Sequence, residues 1–135
     1  MQAVQAGVVP EKPTVLLVED EVLIRLMVSD ELRSRGIQVL EASNADEAMT
    51  VLQSALPVHV LFTDIRMPGR TDGLGLARFA REHYPHLKVV IASSHLAADA
   101  ARDLADAFIP KPFDLPAIVA KIEQLLAGLS DEQQP

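Results

Sequence analysis

Short apolar runs, each followed by a stretch with helical spacing, constrain this chain more than any other feature. Thr14-Val15-Leu16-Leu17-Val18, Val60-Leu61-Phe62 and Lys88-Val89-Val90-Ile91-Ala92 are continuous rather than alternating. A strand with one wet face alternates apolar and polar residues. A strand that is apolar throughout is covered on both faces, as in a parallel sheet flanked by helices.

The intervening segments supply those helices. Ile24, Met27, Val28, Glu31 and Leu32 recur at helical spacing up to about Arg35, and Gly36 provides a stop. After a short strand at Ile37–Ala42, Asn44 is a fitting N-cap, with Glu47 three residues on, for a helix through about Ser54. Further helices are expected over about Leu74–Tyr84, Ala97–Ala105 and Leu115–Leu126, the last ended by Gly128. Two more strands fall at Val60–Asp64 and Ala107–Ile109.

Five strands alternating with five helices predict an α/β chain with a doubly wound five-stranded parallel sheet in the order 2-1-3-4-5. No G-x-G-x-x-G follows the first strand, and Pro110 suits the sheet edge this order gives the fifth strand. The folded unit is expected over 14–127, after a flexible lead-in at 1–13 and before a frayed tail at 128–135.

In such a sheet all strands end at one edge, and ligands bind there where the strand order reverses, here between strands one and three. Strand one delivers Glu19 and Asp20 to that edge, strand three Asp64, strand four Ser93 and strand five Lys111. Neighbouring strands lie about 5 Å apart, so three carboxylates share a small volume. A hard divalent cation with oxygen ligands, Mg²⁺ above all, suits such a site. A carboxylate can attack phosphorus to form an aspartyl phosphate, and a cation, an ammonium and a hydroxyl can neutralise the transferred oxygens. Asp64 fits the nucleophile, Lys111 and Ser93 the phosphoryl partners, and Glu19 with Asp20 the metal ligands.

Taken alone, each residue has an ordinary explanation. The acids Glu19-Asp20-Glu21 favour a helix N-terminus, Asp64 a turn, Lys111 a solvated surface and Ser93 a helix cap. His59, His83, His86 and His95 show no ligand spacing and read as surface residues, and Phe108 reads as core. Val22 and Leu26 lie on a wetter face of the first helix, through partial burial or as a docking surface for a kinase helix. The conjunction of five such residues at four strand ends is what those explanations leave unaccounted for.

The stretches Val15-Leu16-Leu17-Val18-Glu19-Asp20-Glu21, Thr63-Asp64-Ile65-Arg66-Met67-Pro68-Gly69 with Asp72-Gly73, Ser93 and Lys111-Pro112-Phe113 resemble the receiver domain of two-component response regulators over about residues 14–127. The resemblance implies a flavodoxin-like (βα)5 fold and a phosphorylation-dependent signalling switch. Asp64 would be the phosphoacceptor, supplied by a phosphohistidine of a sensor histidine kinase or histidine phosphotransfer protein. Mg²⁺ would be held by Glu19, Asp20, Asp64 and the main-chain oxygen of Arg66, and the Lys111–Pro112 bond would be cis. Ser93 and Phe108 would form the switch pair, remodelling the face made by the Ala97–Ala105 helix, the fifth strand and the last helix for an unnamed downstream protein. Chemistry beyond self-phosphorylation and self-dephosphorylation is not expected.

Three departures from that pattern stand out. Phe108 replaces the commoner tyrosine, Ser94 a common alanine, and the Gly69–Gly73 loop is one residue longer than usual. Arg66 and His95 occupy places that tune dephosphorylation in that family. An alternative from another class is a Mg²⁺-dependent aspartyl-phosphate phosphohydrolase like the haloacid dehalogenases. That chemistry wants a second Asp where Arg66 stands. A flavin carrier would bring its phosphate against Glu19-Asp20-Glu21.

Composition narrows the setting. Across 135 residues the net charge is −7, which argues against direct nucleic-acid binding, since that needs a basic footprint. No run approaches the roughly 20 apolar residues of a membrane span, so no membrane insertion is expected. The absence of cysteine and of a secretory leader suits a cytoplasmic protein. A stand-alone receiver is the expectation, with a receiver excised from a hybrid kinase or larger regulator as the other possibility.

Overall fold

The apolar runs become the middle of the sheet. In the computed structural model, residues 12–67, 69, 71–93, 102–111 and 114–133 are described. Five parallel strands, β1 (Thr14–Val18), β2 (Gln38–Ala42), β3 (Val60–Asp64), β4 (Lys88–Ser93) and β5 (Ala107–Pro110), lie in the order β2-β1-β3-β4-β5, as expected. Every residue of β1 and β3 is buried. Alternate side chains go to opposite faces. Val15 and Leu17 join Phe62, Val90 and Ile122 in one core cluster, while Leu16 and Val18 join Leu61, Leu76 and Ile91 in the other.

Four helices are described: α1 (Val22–Ser34), α2 (Ala45–Gln53), α3 (Gly73–His83) and α4 (Leu115–Gln133). The first cluster takes Val28 and Leu32 from α1 and Ile118 and Ile122 from α4. The second takes Leu52 from α2 and Leu76, Ala77 and Ala80 from α3. The remaining expected helix, at Ala97–Ala105, falls largely outside the described residues, and 102–104 form a turn.

Local chemistry explains the helix ends. Gly36, at φ +82°, ends α1 by donating its N–H to the Arg33 carbonyl while Ile37 donates to Leu32, a left-handed cap that glycine adopts without strain. Asn44 caps α2 by accepting the Glu47 N–H at 2.8 Å. Glu47 reaches back to the N–H of Ser43 at 2.7 Å, closing the capping box one residue earlier than expected. Asp72 caps α3 by accepting the Gly75 N–H at 2.9 Å.

Two expectations fail. The last helix does not stop at Gly128 but runs to Gln133. Leu126 and Leu129 are buried on either side of Gly128, and that burial outweighs the roughly 1 kcal/mol a helical glycine costs. Met27, expected on the packed face of α1, is 59% exposed. Val28, Ser29 and Leu32 define the inward face, and Met27 lies about 100° away from Val28 on a helix of 3.6 residues per turn.

Pro110 sits on the edge strand, where its missing N–H costs no ladder bond. Among the described residues no helix is long and apolar enough to cross a membrane.

Candidate functional site

Strand register brings the acids together. Val18 pairs with Thr63, so the next residues on these neighbouring strands, Glu19 and Asp64, meet at the carboxyl edge of the sheet. Asp64 pairs with Ala92 on β4, and Ser93 follows. Ser93 pairs with Pro110 on β5, and the Lys111 N–H donates to the Ser93 carbonyl at 2.8 Å. The five side chains expected from the sequence therefore converge because four strands end in one row. A cleft of about 290 Å³ there is lined by Asp20, Glu21, Asp64, Arg66, Ser93 and Lys111.

Glu19, Asp20 and Asp64 place carboxylate oxygens within 4.8 Å of one another. Glu19 and Asp64 are buried, and Asp20 is exposed. Like charges this close repel, and burial compounds the effect. Glu19 registers the strain: burial first, then the Asp20 carboxyl and the Asp64 charge, push its pKa up from 4.5 to about 7, against the Glu21 N–H that Glu19 accepts. Such a cluster lacks positive charge, and its donors are all hard oxygens, so the residues fit Mg²⁺.

Lys111 supplies part of the compensation through an ion pair and hydrogen bond to Asp64 Oδ2. Burial works against its ammonium, but the bond and charge of Asp64, with Glu19 and Glu21, outweigh it and raise the Lys111 pKa. Lys111 thus remains a cation throughout the neutral range. The Arg66 N–H approaches Asp64 Oδ1 at a long 3.4 Å, while the Arg66 side chain is exposed.

Two features of the site escape a reading of single motifs. A Cβ on Gly73 would lie 1.8 Å from the Asp64 carbonyl oxygen, and the Gly73 N–H donates to the Ile65 carbonyl at 2.7 Å. The start of α3 is therefore pressed against the backbone of the central acid, which only glycine permits. Behind the acids, Arg25 Nη1 donates to the Glu19 carbonyl at 2.6 Å and its Nε pairs with Glu41 at 3.2 Å. The helical spacing of α1 gives no hint of this contact, because it crosses to β2.

Ser93 is buried, and Phe108 is half-buried against the second core cluster, opposite Ile91 in the register. Ser94, His95, Pro68, Arg70 and the Lys111–Pro112 bond lie outside the described residues. His59 departs from its expected surface role. It is partly buried, and its Nδ1 accepts the Thr14 N–H at 3.0 Å, tying β3 to β1 at the opposite end of the sheet. A hollow of about 410 Å³ there includes His59, His83 and His86 in its lining, but among the described residues only the three acids group as metal ligands.

The model of the response regulator receiver domain matches residues 15–123. The DNA-binding transcriptional regulator NtrC of Salmonella typhimurium is 34% identical over 129 residues, spanning 93% of this chain and 27% of that protein. Sensor kinase CckA of Brucella abortus is 36% identical over 118 residues, 84% of this chain and 12% of that one. The chain thus spans well under a third of these relatives. Among solved structures, response regulator TrrA from Thermotoga maritima in complex with Mg²⁺–BeF is similar at a TM-score of 0.75 and 28% identity, over 84% of this chain and 98% of that one. With the family model spanning the sheet and the acidic edge alike, the chain belongs to the response regulator receiver domain family, the phosphorylation-dependent switches of two-component systems.

Proposed function

We propose that residues 14–127 form a cytoplasmic receiver in which Asp64 accepts a phosphoryl group from a phosphohistidine of a sensor kinase or histidine phosphotransfer protein. The observation that carries this reading is the pairing of Lys111 with Asp64, which is also a member of the three-carboxylate cluster. An Asp64 oxygen bonds to phosphorus as the phosphorus–nitrogen bond breaks, and the imidazole keeps the electron pair and takes a proton. Lys111 is already at the nucleophile and stays charged, so it can follow the developing negative charge onto the phosphoryl oxygens. Ser93, buried at the end of the adjacent strand, lines the same cleft and offers a hydroxyl to that group.

Glu19, Asp20, Asp64 and the Arg66 main-chain oxygen are the proposed Mg²⁺ ligands. The Mg²⁺–BeF complex of the TrrA relative supports that assignment. When bound, Mg²⁺ neutralises charge on the acids and on the transferred oxygens.

The output is a population shift limited by the contacts phosphorylation adds in one state. Ser93 moving toward the phosphoryl group and Phe108 following inward would remodel the face around β5 and α4 for a downstream protein. The chain itself performs only its own phosphorylation and dephosphorylation. That NtrC and CckA extend far beyond the matched region supports a second reading, in which this receiver works as part of a larger regulator or hybrid kinase.

The test is phosphotransfer from purified, labelled histidine kinases or phosphotransfer domains in the presence of Mg²⁺. Label should pass to the chain within seconds to minutes from a cognate donor and not to Asp64→Asn. Transfer that persists in Asp64→Asn would remove the assignment.

A further inference from the structure

The contacts behind the acids single out one residue that contributes no carboxylate. Arg25 is the fourth residue of α1 and is largely buried, with 17% of its side chain exposed. Its guanidinium spans two elements: Nη1 donates to the main-chain carbonyl of Glu19 at 2.6 Å, and Nε pairs with Glu41 Oε1 on β2 at 3.2 Å. Glu41 is itself held by Arg33 at 3.1 Å through its other oxygen. The same loop is fixed from β2 by the Glu19 N–H, which donates to the Ala42 carbonyl at 3.1 Å. Both main-chain polar groups of Glu19 therefore lead to the end of β2, one directly and one through Arg25.

We propose that Arg25, braced by Glu41, is a positioning residue for the metal-binding acids: it fixes the Glu19 backbone and so aims the Glu19 and Asp20 carboxylates at Asp64. This rests on the metal site proposed above and adds a residue to its control.

The physical case has two parts. Three like charges converging near one point tend to push the loop apart, and rigid backbone contacts oppose that. A cationic donor at 2.6 Å from a carbonyl is a strong, charge-assisted bond, and it brings positive charge to a loop crowded with acids. Geometry then separates position from charge. The planar fork of arginine reaches two acceptors at fixed angles, whereas a lysine ammonium keeps the charge but not that span.

Mg²⁺ binding by the intact chain, measured by isothermal titration calorimetry beside thermal unfolding without metal, tests this. Residues that orient metal ligands typically cost ten- to a hundredfold in affinity when changed. Arg25→Lys should weaken Mg²⁺ binding about tenfold. Glu41→Gln, which keeps an acceptor for Nε, should weaken it less, and the double variant should be no weaker than Arg25→Lys, because both act through one contact. Arg35→Lys, altering exposed pairs from the C-cap of α1 to Glu31 on that helix and to Glu123 on α4, should bind as wild type.

Arg25→Lys and Glu41→Gln both binding Mg²⁺ within twofold of wild type would overturn the inference, whatever their unfolding temperatures. An Arg25→Lys chain that fails to fold leaves Glu41→Gln to decide, and wild-type affinity there would also overturn it. A wild-type chain that binds no Mg²⁺ would overturn the metal site as well, which separates failure of this inference from failure of the reading beneath it.

Discussion

At the scale of single residues, the motifs reveal identities but not the contacts that constrain them. The convergence of Asp64, Glu19, Asp20, Ser93 and Lys111 was legible because each lies at or just past the end of a strand, and strand ends of a parallel sheet are adjacent by topology. Arg25 and the close approach of Gly73 to Asp64 were not, because both depend on how one element packs on another.

His59 shows the same limit and yields a pH prediction. Burial holds its pKa below the ordinary 6.5, and the Nδ1 that accepts the Thr14 N–H must be free of a proton. As pH falls below about 6.5 the unfolded chain takes up a proton there before the folded chain does. The contribution of His59 is therefore fully present above about 6.5 and is lost as pH drops through its lower folded value. Glu19, raised to about 7, acts in the opposite sense: it adds stability below its unfolded value of 4.5 and loses it as pH rises through 7. A difference measurement separates the two. Between about pH 7.5 and 5.5, wild type should lose more unfolding temperature than His59→Gln, and parallel profiles would contradict the role given to His59.

At the scale of elements, β1 and β3 were readable almost to the residue, because double-sided burial leaves an uninterrupted apolar run. The caps at Gly36 and Asn44 were readable too, as each acts through its own backbone or side chain, whereas the Asp72 cap of α3 was read only as loop. The end of α4 was misread because a local rule, glycine as a stop, competes there with the burial of Leu126 and Leu129. That competition can be measured. Gly128 has no positive φ, and a Cβ there would meet nothing within 4 Å. Gly128→Ala should therefore stabilise the fold by about 1 kcal/mol, through helix propensity and a less flexible unfolded chain. Denaturant melts read this directly, and a destabilised Gly128→Ala would mean that the helix is not continuous through that position.

At the scale of the whole molecule, the arrangement divides labour. The two apolar clusters on either face hold the sheet rigid, and its carboxyl edge collects carboxylates, an ammonium and a hydroxyl that no single segment contains. Sheet order was legible because five β–α alternations with right-handed crossovers leave few arrangements. The downstream partner was not legible, because an Ala-rich stretch such as 97–105 carries little face information in its sequence. The central claim is that the convergence of strand ends makes Asp64 the phosphorylated residue. Intact-mass analysis after incubation with a small phosphodonor and Mg²⁺ tests it most directly. The account predicts one added phosphoryl group, stable in acid, labile in base and lost when Mg²⁺ is chelated beforehand, with none in Asp64→Asn. Equal labelling of Asp64→Asn, or labelling indifferent to Mg²⁺, would contradict it.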